Sequence, residues 1–151
     1  MAKRFPLQPL LEHTRHRMDA AERTLRLLKQ KEDEARQRLA ELEGFRQEYH
    51  ARLANSSAGG MHIQLMRDYH VFLAKIEHAI RHQAAVVEEA RARWESAHRQ
   101  WLAERQKVLA YETLAQRHHK RESLRAERLE QRLTDEHAAR VRLDQARQED
   151  A

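Results

Sequence analysis

Apolar residues recur along most of this chain at alternating steps of three and four, and very little interrupts them. Stepping from Leu7 to Leu53 in this way, eleven of fourteen positions are apolar. Stepping from Met66 to Ala115, thirteen of fifteen are. Sustained over six or seven heptads, this spacing puts one apolar stripe on a helix and predicts a left-handed coiled coil. The composition leaves little else open. Charged residues make up 35% and aromatics 5% of 151 residues, with three Gly and two Pro. A sheet-based domain needs turn residues every ~8–12 positions, and three glycines do not supply them. The expected core is a thin seam between helices.

Punctuation divides the chain. Pro6 and Pro9 stand at the start, where a first helical turn tolerates proline. Asn55-Ser56-Ser57-Ala58-Gly59-Gly60 is the one loop-like cluster. The reading is all-α: a long antiparallel two-helix coiled-coil hairpin, one domain over 1–151. It has helix 1 about 7–54, a loop 55–60, and helix 2 about 61–148, weakly ordered at its C-terminal end. A fold about residue 57 or 58 places Leu7 near Val108 and Tyr111. Beyond Ala115 the stepped positions carry one apolar residue in five. Helix 2 therefore extends beyond helix 1 as either a protruding solvated helix or one awaiting a partner.

Helix 2 carries a surplus seven-spaced row, Leu65, Phe72, Ala79 and Val86, beside the seam. The fold about 57–58 brings Phe45 level with Phe72. Either the core is locally wider and takes in both rings, or an apolar patch is offered to another protein. Trp94 and Trp101 read as seam fillers. Glu32, Arg46, Gln83 and Glu104 interrupt the seam and read as register-setting residues, with Glu104 reaching solvent near the open end.

The chemistry of an enzyme is not expected. There is no cysteine, so disulfides, thiol catalysis and zinc–thiolate sites fall away. His78 and His82 have a spacing that can chelate a metal, but no third ligand accompanies them, and no cofactor or metal is expected. No phosphate-cradling glycine loop or nucleophile elbow occurs. The net charge of +5 is interspersed, which reads as a solvated helix surface first and a nucleic-acid footprint only second. No run of ~18 apolar residues predicts a membrane span.

Three stretches carry a family resemblance. They are FPLQPLLEHTRHRMDAAERTL at the start, LEGFRQEYHARLANSSAGGMHIQLMRDYHVFLAKIEHAIRHQ around the break, and RWESAHRQWLAERQKVLAYETLAQRH later. FRQEY and YHVFLAKIEHAI are the most specific elements. In order, they resemble the bacterial flagellar export protein family FliJ, and more distantly the stalk proteins of other type III secretion systems. The resemblance implies a central stalk-like protein without enzymatic activity. Its terminal end would enter the hexameric flagellar export ATPase, and its bend would bind the cytoplasmic domain of the export-gate membrane protein. It would also escort export chaperones, with no nucleic acid and no direct membrane insertion. The implied location is cytoplasmic, peripheral to the inner-membrane export apparatus, and the implied state is a monomer. By resemblance, the gate-contacting positions are Leu42, Phe45, Tyr49, Phe72, Ile76, Ala79 and Gln83. Tyr49, Ile76 and Gln83 also fall on the seam. An injectisome-type stalk or a generic coiled-coil scaffold are the alternative readings.

Overall fold

The structure, a computed structural model, describes residues 3–60 and 62–150. Helix α1 runs Gln8–Ala58 over 51 residues and α2 runs Ile63–Glu149 over 87. They pack against each other antiparallel, with α2 the longer, and the described residues contain no strand. Pro9 lies in the first turn of α1, where its missing N–H costs no hydrogen bond.

The break is shorter than the polar cluster suggests. Asn55, Ser56, Ser57 and Ala58 all continue α1. Asn and Ser are only modestly poor helix formers, by a few tenths of a kcal/mol and at most ~0.7 each, so their clustering does not stop a helix. The reversal is made at Gly60, whose φ is +84°, a left-handed conformation that glycine adopts without steric penalty. Its N–H donates to Ser57 O at 3.3 Å, closing the last turn. The next helix starts with His62 as its cap, whose Nδ1 accepts the Gln64 N–H at 3.1 Å.

Close packing divides the chain into two units, Met18–Ala103 and Met1–Arg17 with Glu104–Ala151. In the unit that holds the bend, Tyr49 meets Phe72 with ring centroids 4.7 Å apart. Gln83 Nε2 donates to Ala35 O at 3.0 Å, and Lys29 Nζ lies 5.5 Å from the Trp94 ring centroid. A fold about residues 57–58 would instead have set these α1 residues opposite Met66, Ile80 and Val86. The pairing thus sits several residues further along α2, because the reversal occurs at Gly60. Trp94 and Trp101 are half-buried. His98 stacks with both, at 5.0 and 5.9 Å.

In the terminal unit, Leu11, Val108 and Ala115 are buried. Thr14 is buried too, its hydroxyl donating to Leu10 O, a back-bond that satisfies a polar group without a partner helix. Arg15 pairs with Glu112 at 3.2 Å and Arg17 with Glu104 at 3.1 Å. Glu104 does not reach solvent as the earlier register implied: it is only 4% exposed. The later reversal sets it opposite Arg17 and leaves covered seam on both sides of it.

The covered part of α2 also runs further than Ala115. His118 is buried and Glu122 half-buried, although α1 begins only at Gln8. The cover is a short non-helical strap, residues 3–7. Phe5 is 7% exposed, its ring 5.6 Å from that of His118. His118 Nε2 donates to Lys3 O at 2.8 Å, and the Lys3 N–H donates to Glu122 Oε2 at 3.3 Å. Leu7 borders the same cleft, with Leu114 and His118, and so lies further along α2 than Val108 and Tyr111. Burying Phe5 contributes about 1.5–3 kcal/mol and each hydrogen bond about 1 kcal/mol. The conformational entropy lost in ordering the strap's backbone offsets much of this gain. From residue 123 to 150 every residue of α2 is exposed.

Candidate functional site

The face beside the seam near the bend is where the surplus row leads. A seven-residue spacing keeps side chains in register on one side of a coiled coil, and Leu65, Phe72, Ala79 and Val86 share that side of α2. The two residues nearer the bend stand out into solvent. Phe72 is 43% exposed and Leu65 49%, while Ala79 and Val86 are half-buried. On α1, Phe45 is 52% exposed. The locally wider core is therefore not formed. Both phenylalanines lie one position off the buried stripe, and two helices have no third surface with which to cover them.

The rings are nevertheless organised. Phe72 leans on half-buried Tyr49, and Tyr49 lies 6.3 Å from Tyr69. Arg52 lies 5.3 Å from the Tyr49 ring centroid and pairs with Glu48 at 3.1 Å. Aromatic groups anchored on one side and open on the other form a preordered apolar surface, the kind that contributes most at protein interfaces. Ile63 and Val71 add exposed apolar surface nearby in sequence, and sequence reasoning missed them because they belong to no heptad row.

The seven positions named by resemblance separate into three groups. Phe45 and Phe72 are exposed. Leu42, Tyr49, Ala79 and Gln83 are half-buried, with Gln83 committed to Ala35 O across the seam. Ile76 is buried. Phe45 is not level with Phe72, since Phe72 sits against Tyr49. Only Phe45 and Phe72 offer large side-chain area without local rearrangement.

Electrostatics along the seam concern stability more than chemistry. Burial pushes the Glu32 carboxyl up, but hydrogen bonds and attraction from Arg36 and Lys29 outweigh it and hold the group below its ordinary value. On the surface, Arg91 hydrogen-bonds Glu88 and Glu95. The bond to Glu88 holds that carboxyl low and keeps the guanidinium firmly charged. Glu104 is less well served. Arg17 and Lys107 approach Oε1, at 3.1 and 3.8 Å, while Oε2 is buried without a hydrogen-bond partner among the described residues. Among the described residues no three His, Cys, Asp or Glu side chains converge on a common point, and no helix is long and apolar enough to cross a membrane. His78 and His82 are both exposed.

No curated protein and no solved structure matches the chain. A family model, Flagellar FliJ protein, matches residues 3–147. That span includes α1, the bend, the exposed aromatic face and nearly all of α2. The chain belongs to the FliJ family, components of flagellar protein export.

Proposed function

We propose that the chain is a non-enzymatic stalk of the flagellar type III export apparatus, in the cytoplasm and peripheral to the inner membrane. The bend face binds the cytoplasmic domain of the export-gate protein through Phe45 and Phe72. The terminal unit, with the exposed extension of α2, enters the hexameric export ATPase. Escort of export chaperones belongs to the same role. The observation that carries this reading is the pair of exposed rings held on an ordered aromatic base, in a chain whose family serves flagellar export. A stalk needs stiffness and weak, repeated contacts. The interleaved Arg and Glu of residues 123–150 suit a solvated, sliding surface better than a sticky apolar one.

A pull-down from a flagellated bacterial lysate tests it, comparing wild type with Phe45→Ala/Phe72→Ala. Loss of the gate component with retention of the ATPase supports the assignment; equal recovery of both removes it. A chain ending at Ser123 keeps the strap and its His118 and Glu122 contacts. It is expected to lose stimulation of the ATPase ring while still recovering the gate component.

A further inference from the structure

We propose that residues 3–7 are a releasable clasp that sets how much of the α2 seam is covered. Along the rest of the pairing, α2 is covered by a helix. At His118 and Glu122 the cover, among the described residues, comes from this non-helical segment. Phe5 is the one fully buried side chain of the clasp and Leu7 is half-buried; Lys3, Arg4 and Pro6 are exposed. Its two hydrogen bonds to α2 both use backbone atoms of Lys3. Below it, Leu11 is buried within α1 and Ala115 within α2, and α1 is already helical from Gln8. The Phe5 and Leu7 carbonyls accept the Gln8 and Leu11 N–H groups, so release of the clasp pivots at the first turn of α1 and leaves the rest of that helix in place.

A short segment held by the Phe5 ring, half-buried Leu7 and a few backbone hydrogen bonds opens more often than the hairpin unfolds as a whole. Beyond Glu122, α2 is already open to solvent through residue 150. Release of the clasp extends that open surface back over His118 to the edge of Leu114, and docking closes it again. The clasp is thus a built-in switch at the start of the exposed extension.

Two adjacent histidines make the switch measurable, because His118 is buried and His119 exposed. Acylation of the full chain with diethylpyrocarbonate, resolved by fragment mass spectrometry, reads each ring separately. In wild type His118 is expected to react about tenfold more slowly than His119, under conditions where circular dichroism shows the chain fully folded. Phe5→Ala is expected to bring the two rates together while leaving the melting temperature within about 6 °C of wild type. Tethering the clasp, by joining Lys3→Cys to Glu122→Cys with a short bismaleimide in this otherwise cysteine-free chain, is expected to slow His118 below its wild-type rate. Unchanged protection of His118 in Phe5→Ala would overturn the proposal. So would a large fall in melting temperature, which would make Phe5 part of the cooperative core, or a tether without effect on His118.

Discussion

Replacing Glu104 by Leu should make the hairpin more stable, although it removes an ion pair. Glu104 is buried in the seam, with Oε2 unpartnered among the described residues. Its ion-pair partner Arg17 is 53% exposed, so losing that pair forfeits only about 0–1 kcal/mol. Removing the orphaned oxygen returns about 1–3 kcal/mol, and a well-packed Leu adds about 1.5–3 kcal/mol of apolar burial. Imperfect fit takes some of this back, and a net gain of about 1–3 kcal/mol remains, the range seen when buried ion pairs become apolar contacts. For a chain of this size that corresponds to a rise of roughly 3–10 °C in melting temperature. The assay is thermal unfolding by circular dichroism at one fixed concentration, with light scattering to establish that the variant keeps the oligomeric state of wild type. Glu32→Leu is the comparison, because both Glu32 oxygens are engaged, by Arg36 and Lys29. Its gain should be smaller. A fall in melting temperature for Glu104→Leu, or a larger gain at Glu32, would refute the description of the seam.

Gly44→Ala should stabilise by up to about 1 kcal/mol, since a Cβ there meets nothing within 4 Å in mid-helix, whereas Gly60→Ala should cost about 1–2 kcal/mol because of its φ of +84°; chemical denaturation measures both. Glu32 is held lower in the folded chain than its ordinary value, so its contribution is complete above the unfolded value of about 4.3 and fades as pH falls through the folded one. The stability difference between wild type and Glu32→Gln, followed by melting from pH 6 to pH 3, should therefore shrink on the acid side. A chain ending at Ser123 should melt within about 1 °C of the full chain, because surface residues that bury nothing contribute little. A fall of several degrees would mean that residues 124–150 are covered.

Much of the fold is legible because the seam has a period. All the stepped positions, from Leu7 to Leu53 and from Met66 to Ala115, are buried or half-buried, polar interruptions included. Register is less legible. It depends on where the chain reverses, and Asn55 and Ser56 resemble a loop in composition while the reversal occurs around Gly60. That single misplacement moves Glu104 from an expected open end into the seam and separates Phe45 from Phe72. The extra cover over His118 was missed because Phe5 belongs to no helix, although a lone phenylalanine before Pro6 was a usable sign. The bend face was legible in outline, since a second seven-spaced row has no place in a two-helix seam. Which of its residues stay exposed was not, because exposure turns on a one-position offset from the buried stripe.

The central claim is that the chain doubles back at Gly60 so that α1 and α2 of one molecule pair. Arg38 and His82 are both exposed. Spin labels on cysteines placed there, diluted into excess unlabelled protein, report the separation within single chains. Paired helices lie about 8–10 Å apart, so with the label arms the account predicts a distance below about 25 Å. A continuous helix through the bend would place the labels about 65 Å apart, and a narrow distribution near that value would contradict the hairpin.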